Sequence, residues 1–229
     1  MKKVICFVLS TKNYSDRIKN IRRTWAKDID TVFYSDHDDP INNVIKVSNK
    51  SDYYSAPIKQ VNILNYIKEL SDGDDNLLLD EYDWFFFVDD DTFVNKKKLE
   101  EYIQKLDVNK VYGSIITSEN DSINPVYVNK VIDLDVQYPQ GGAGFLVSSN
   151  VIRKIDKFKE YKVYHSDVAA GMNFHHNKVE CVDVPILNRE TPETYGHTEE
   201  EIVGMISYHN IKTFDQMKTL YEVYNEVWL

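Results

Sequence analysis

Apolar residues run without a break from Val4 to Leu9 and again from Trp84 to Val88. Unbroken runs of this length mark strands covered on both faces, as in the middle of a parallel sheet, where hydrophobic alternation is lost. The first run is followed by a polar loop, Ser10 to Asn13, and then by Ile18, Ile21 and Trp25 at helical spacing, which predicts a helix over Ser15 to Lys27. Thr31 to Tyr34 and Val44 to Val47 read as short strands separated by the turn-rich Asp36-His37-Asp38-Asp39-Pro40. Pro57 sits where a first helical turn tolerates proline, and Ile58, Val61, Leu64 and Ile67 continue a stripe that stops before Ser71-Asp72-Gly73. After the second apolar run, Asn95 is expected to cap a helix carrying Leu99, Tyr102, Ile103 and Leu106.

Strands alternating with helices in this way predict an α/β fold with a central, mostly parallel sheet flanked by helices. The second half changes character. Val111 to Thr117, Val126 to Val128, Val131 to Leu134 and Gly144 to Val147 read as short strands around a helix from about Asp167 to His176, so a smaller mixed sheet is expected there. A helix from Thr213 to Trp228, opened by a Thr213 and Gln216 capping box, closes the chain. The expected organisation is one domain over 1–229, with 1–94 as one half and 95–229 as the other.

Composition narrows the function. The 229 residues carry a formal net charge of −10 and no Lys/Arg-rich run, so a nucleic-acid phosphate backbone is an unsuitable partner. Val4 to Leu9 is too short for a signal-peptide core or a membrane span, and later apolar runs are shorter still. The two cysteines, Cys6 and Cys181, each lie in an apolar run and read as buried thiols in a reducing compartment. A cytoplasmic location is the expectation.

The sharpest chemical feature is Asp89-Asp90-Asp91 at the carboxyl end of a buried strand, the end that faces the ligand crevice in open α/β sheets. Mg²⁺ and Mn²⁺ take carboxylate oxygens, usually from one or two protein residues while substrate phosphates fill other positions. On an extended chain Asp89 and Asp91 share a side and Asp90 points to the other. A solvated acidic turn is the alternative. Three of the eight glycines fall in Gln140-Gly141-Gly142-Ala143-Gly144-Phe145, which suits either close backbone approach and positive φ or simply a tight turn. Asp167 at a helix start reads first as a capping residue. His209 ends a strand and is either a ligand or a hydrogen-bonded structural histidine, while His165, His175, His176 and His197 show no zinc spacing. Arg22, Arg23 and Lys59 could reach an anionic phosphate, though each alone reads as a solvated helix residue.

These elements also occur together in a recognisable order. Ile18-Lys19-Asn20-Ile21-Arg22-Arg23-Thr24-Trp25, the run from Trp84 through Asp89-Asp90-Asp91 to Thr92-Phe93-Val94, Gly141-Gly142-Ala143-Gly144-Phe145, Asp167-Val168-Ala169-Ala170-Gly171 and Ser207-Tyr208-His209 follow one another along the chain. In that order they resemble the motifs of the Fringe and core 1 β1,3-galactosyltransferase superfamily of GT-A glycosyltransferases. The resemblance implies a Rossmann-like GT-A fold and a metal-dependent, inverting transfer from a UDP-sugar donor to a hydroxyl of a glycan acceptor, forming a β1,3-linkage. It implies that Asp91 and His209 bind Mn²⁺ (or Mg²⁺), that Asp89 contacts the metal or the ribose, and that Asp167 is the catalytic base. Ser10, Thr11 and the stretch from Tyr34 to Asp36 would lie near the uridine, with Lys59 and Asp90 also on the nucleotide side, and Gly142 and Ala143 would line donor sugar and acceptor. Ser166 stands where relatives carry an acidic residue, a difference expected to touch the acceptor site. Relatives are anchored Golgi enzymes with disulfides, which points to a soluble version here. Two other readings remain. A sugar nucleotidyltransferase would show a glycine-rich phosphate loop where Ser10 to Asn13 has none, and a non-catalytic binding or chaperone relative would have lost the acidic triplet.

Overall fold

A computed structural model of the chain describes residues 1–70, 77–117 and 136–226. The first half contains β1 (Val4–Leu9), α1 (Ser15–Arg23), β2 (Thr31–Ser35), β3 (Val44–Lys46), α2 (Ala56–Glu69), α3 (Leu77–Glu81), β4 (Trp84–Asp89) and β5 (Phe93–Val94). It continues with α4 (Lys96–Ile103), β6 (Val111–Gly113), β7 (Ile115–Thr117), β8 (Gln137–Pro139), β9 (Phe145–Ser148), α5 (Ser149–Lys154) and α6 (Ser166–His176). The chain then forms β10 (Cys181–Asp183), β11 (Leu187–Asn188), α7 (Pro192–Tyr195), α8 (Glu199–Gly204), β12 (Ser207–Tyr208) and α9 (Phe214–Glu226).

The main sheet has seven strands in the order β10-β6-β9-β4-β1-β2-β3. Only β9 runs against its neighbours. The two apolar runs lie side by side at its centre, and their residues alternate between two cores. Val4, Cys6 and Val8 face one side together with Trp84, Phe86 and Val88, whereas Ile5 and Phe7 face the other with Phe85 and Phe87. On that second side Phe87 stacks on Phe7 at 5.5 Å and on Phe145 at 5.1 Å. Each ring taken from water here contributes on the order of 2–3 kcal/mol, which makes the middle of this sheet the rigid base for whatever its ends carry.

Two expected strands join the main sheet instead of a separate small one. Residues at 111–113 and 145–148 are buried on both faces, with Val111, Phe145 and Val147 in one core and Tyr112 and Leu146 in the other. A sheet with one wet face could not hold them. The expected run from Val111 to Thr117 divides at Ser114, whose carbonyl accepts from the Gln140 N–H at 2.9 Å and whose hydroxyl accepts from Arg189 Nε at 2.7 Å. Beyond it, β7 pairs antiparallel with β8. A smaller mixed sheet does form, from β11, β12 and β5, with one parallel and one antiparallel pairing. Val126 to Val128, Val131 to Leu134 and the Trp228 end of the last helix lie outside the described residues.

The first helix is shorter than its periodicity predicts. It stops at Arg23 because the Thr24 hydroxyl donates back to the Asn20 carbonyl at 2.8 Å, and Trp25 begins a separate 3₁₀ turn. The expected caps are present, with Asn95 accepting from the Lys98 N–H at 3.2 Å and Thr213 and Gln216 capping each other at 3.2 Å. Cys6 is buried and Cys181, on the edge strand β10, is half-buried; neither is in a disulfide. Among the described residues no helix is long and apolar enough to cross a membrane.

Candidate active site

Register brings the chemical residues to one end of the main sheet. Leu9 of β1 pairs with both Tyr34 of β2 and Asp89 of β4, so these three strands finish level. Because β9 runs the opposite way, with Phe145 beside Phe87, the glycine-rich turn that precedes it arrives at the same end. The small sheet adds the last piece: Tyr208 pairs with Phe93, and His209 follows it directly.

Asp89, Asp91 and His209 offer ligand atoms that all lie within 4.8 Å of one another, with His209 Nε2 3.0 Å from Asp91 Oδ1. Asp90 turns away from them, since β4 ends at Asp89 and the chain turns there, the Thr92 N–H donating to the Asp89 carbonyl at 3.2 Å. Its carboxylate accepts from the Ser10 hydroxyl and from Arg17 Nη1, both at 2.7 Å. Arg17 also lies 3.3 Å from Asp91 and stacks over the Tyr14 ring at 4.2 Å.

Burial sets the electrostatics of this cluster. It pushes Asp89 up to about 7, with the charges of Asp91, Asp167 and Asp90 acting in the same direction and His209 against it. Burial likewise lifts Asp90 to about 6, against the pull of Ser10 and Arg17. For Asp91 burial is outweighed by the hydrogen bond and charge of His209 and by Arg17, so its pKa lies below the usual carboxylate range. His209 is shifted upward: burial works against it, but the bond to Asp91, the charges of Asp91 and Asp89 and the Arg189 carbonyl together outweigh burial. Two carboxylates and an imidazole form an oxygen and nitrogen donor set suited to a divalent cation. The crowded negative charge that keeps Asp89 from ionising easily is what such a cation would relieve. The residues therefore fit a divalent metal.

The surrounding motifs hold this cluster in place. The Trp25 indole donates to the Thr92 carbonyl at 3.0 Å, and the Thr92 hydroxyl donates to the Gly142 carbonyl at 2.7 Å. The Ser207 hydroxyl donates to the Ala143 carbonyl at 2.5 Å. On His209, Nδ1 lies 3.1 Å from the Arg189 carbonyl, which can only accept, so Nδ1 carries the proton and Nε2 is directed at Asp91. Both glycine readings apply within one turn. A Cβ on Gly142 would lie 2.5 Å from each nitrogen of the His209 ring, and Gly144 has a φ of +92°.

Asp167 sits against the same glycine turn, beside Gly141. It is not the helix cap: that position belongs to His165, and Asp167 lies in the first turn of α6 with its carboxylate turned towards the glycine turn. One oxygen accepts from the Gly141 N–H at 3.1 Å and the other from the Val168 N–H at 2.8 Å. Burial outweighs these bonds and raises its pKa.

A cavity of about 1050 Å³ is lined by Asp167 and by Asp89, Asp91 and His209. Of the residues singled out in the sequence, Ser10, Thr11, Lys59, Gly142, Asp167 and His209 line it together with the acidic triplet. Tyr34, Asp36 and Ala143 do not. Strand alternation sends Tyr34 into the core below α2, where its hydroxyl donates to Gln60 at 2.7 Å. Ala143 is fully buried behind the turn. Arg22 and Arg23 are exposed on α1; the arginine of that helix that reaches the triplet is Arg17. Periodicity could not single out Arg17, but its place in the first half of the helix after β1, beside the strand ends, could have.

Asp36 meets Lys59 instead of open space. Their ion pair is 3.1 Å long with both side chains buried, and Lys59 also donates to the Ser10 carbonyl at 3.2 Å. Burial works to raise the Asp36 pKa, but hydrogen bonds from Thr11, Lys59 and Lys12 outweigh it and bring the value down to about 2. A carboxylate held below its unfolded value of about 4 stabilises the fold fully above that pH, and the contribution disappears as pH falls towards 2. Urea midpoints measured from pH 5 down to pH 2.5 should therefore fall more steeply for the wild type than for Asp36→Asn. Parallel slopes would mean that the pair does not contribute in this way.

The Fringe-like family model matches residues 1–218. Chondroitin sulfate synthase 3 of Homo sapiens is 24% identical over 180 residues, 72% of this chain, and that of Mus musculus is 24% identical over 182 residues. The chain spans about a fifth of the length of these curated relatives, 19% and 20%. Among solved structures, the galactosyltransferase LgtC in complex with donor and acceptor sugar analogues superposes with a TM-score of 0.52 at 13% identity, covering 97% of this chain and 95% of that one. The WbbM bifunctional glycosyltransferase gives a TM-score of 0.53 at 15% identity, covering 98% of this chain and 51% of that one. At these identities the likeness is one of fold, and the fold is GT-A.

Proposed function

The chain belongs to the Fringe-like family and has the GT-A glycosyltransferase fold, and from that premise we propose that it moves a sugar from a UDP-sugar to a hydroxyl of a glycan acceptor, with inversion at the anomeric carbon. The observation that carries this reading is one cavity lined both by a possible cation site and by the carboxylate of Asp167. Residues 1–94 would serve mainly the donor, and 95–229 would supply the acceptor side and His209.

An acceptor hydroxyl is a weak nucleophile near pH 7, and a positioned base that takes its proton in the transition state contributes roughly 10²- to 10⁴-fold. Asp167 suits this role because its raised pKa makes it a stronger base than a solvated aspartate, and backbone N–H groups fix its orientation. As the proton passes to Asp167, the acceptor oxygen bonds to the anomeric carbon, and the bond from that carbon to the diphosphate breaks with its electron pair leaving on UDP. A single displacement turns an α-linked donor sugar into a β-linked product, and a β1,3-linkage is the expected outcome. A divalent cation, Mn²⁺ or Mg²⁺, held by Asp91 and His209 with Asp89, supplies Lewis-acid neutralisation of the charge that develops on the leaving diphosphate. Arg17 keeps Asp90 paired and oriented, so the triplet presents two carboxylates and not three.

A panel of UDP- and GDP-sugars incubated with Mn²⁺, read as nucleotide release, tests the proposal. Release is expected from a UDP-sugar and should stop when a chelator is added. Release that ignores the chelator, or that occurs from GDP-sugars alone, would overturn it.

A further inference from the structure

Beside Asp167 the cavity is walled by aromatic rings that the core does not use. Tyr53 and Tyr54 are 68% and 64% exposed, the most exposed aromatic residues among those described. They precede α2 in sequence, outside its apolar stripe. Tyr53 and Tyr54 meet edge to face at 6.3 Å, and Tyr54 meets Tyr164 in the same way at 5.4 Å. Tyr53 also contacts His165 at 6.1 Å, with its hydroxyl 3.2 Å from His165 Nδ1. Tyr53, Tyr164 and His165 line the cavity.

Rings this large are normally buried, and a cluster left open at a polar cavity is the unusual observation. Edge-to-face packing holds the rings at right angles instead of in a closed stack, so the cluster is ordered without being consumed by its own contacts. It carries hydroxyl groups and an imidazole along with its apolar faces. A pyranose ring has matching chemistry, with an apolar face of C–H groups and a rim of hydroxyls. Neither a phosphate nor a cation does.

Position decides which sugar. Asp167 is two residues beyond His165, which lies 3.2 Å from the Tyr53 hydroxyl, and all three line the cavity. A base must lie within hydrogen-bond reach of the proton it takes, so the sugar bearing the attacking hydroxyl sits against Asp167 and hence within reach of these rings.

We infer that Tyr53, Tyr54, Tyr164 and His165 form the acceptor subsite, a platform on which the C–H face of an acceptor pyranoside stacks while its reacting hydroxyl meets Asp167. This rests on the reading of the cavity as a glycosyltransferase site and adds to it the residues that hold the acceptor ring.

The test uses methyl β-pyranosides of galactose, glucose, N-acetylgalactosamine and glucuronic acid as probes, with glycerol as control, and the full chain with UDP and Mn²⁺. Saturation-transfer NMR reports binding without turnover. At least one pyranoside should receive saturation at its C–H protons, glycerol should not, and Tyr53→Ala combined with Tyr54→Ala should weaken that sugar about tenfold. Both rings are exposed, so the variant should keep the wild-type melting temperature and UDP affinity. Tyr53→Phe should bind the sugar as the wild type does, since it keeps the ring. A wild type that binds UDP with Mn²⁺ but no pyranoside, a sugar signal unchanged in the double variant, or a variant that loses UDP instead, as stacking on uracil would require, overturns the acceptor assignment. A wild type that fails to bind UDP at all overturns the transferase reading on which it rests.

Discussion

Asp167→Asn is expected to lower sugar transfer by roughly 10²- to 10⁴-fold while leaving UDP and Mn²⁺ binding intact. Asparagine has the shape of aspartate but cannot accept a proton at neutral pH. The wild-type carboxylate receives two backbone N–H bonds, one on each oxygen, from Gly141 and Val168. Asparagine has a single acceptor oxygen and loses one of them, at a stability cost of about 1 kcal/mol, small enough for the fold to survive. Unchanged nucleotide binding separates this loss from disruption of the cavity, because Asp167 is not one of the three residues that could hold the cation. Steady-state transfer assays beside UDP titrations provide the check. Turnover within a few-fold of wild type would remove Asp167 as the base.

Gly142→Ala should raise the Mn²⁺ concentration needed for UDP binding by about 10- to 100-fold, the usual effect of disturbing what holds a metal ligand in place. The added methyl would lie 2.5 Å from both ring nitrogens of His209, and the ring has little freedom to yield. It is pinned by Asp91 at 3.0 Å through one nitrogen and by the Arg189 carbonyl at 3.1 Å through the other. The backbone of Gly142 is not in the left-handed region, unlike that of Gly144, so alanine adds bulk there without backbone strain. The loss should therefore appear in cation affinity more than in the melting temperature of the free protein. Calorimetric titration with Mn²⁺ in the presence of UDP measures it. An unaltered cation affinity would mean that His209 is not a ligand.

The two variants probe different groups lining one cavity, and together they ask whether the cation site and the base act in one reaction. Their effects should be separable, since the first leaves binding and loses transfer, and the second loses binding.

Local pattern was enough for much of this molecule. The apolar runs over 4–9 and 84–88 could only be interior strands, and placing the acidic triplet at the end of one put it at the ligand edge of a sheet. The expected separation of Asp90 from Asp89 and Asp91 holds, but β4 ends at Asp89 and a turn, closed by the Thr92 N–H on the Asp89 carbonyl, sets it in place of strand alternation. The caps at Asn95 and Thr213 were equally local. Order of motifs along the chain supplied the family and the expected roles of Asp91, Asp167 and His209, which spacing alone had left open.

Other features depended on which surfaces are buried together, and no window of sequence contains that information. The direction of β9, and with it the arrival of the glycine turn beside the triplet, follows from pairing with β4 and β6. Tyr34 went to the core and Asp36 to Lys59 because the cores on either side of the sheet, not the strand, determine which side chains are covered. Arg17 reached the triplet, and Tyr53 and Tyr54 reached His165 and Tyr164, from segments distant along the chain. The contact between Gly142 and His209 is the clearest case. Each residue was noticed for a local reason, a crowded run of glycines and a strand-ending histidine. Only the meeting of two sheets made the missing side chain of one the space occupied by the other.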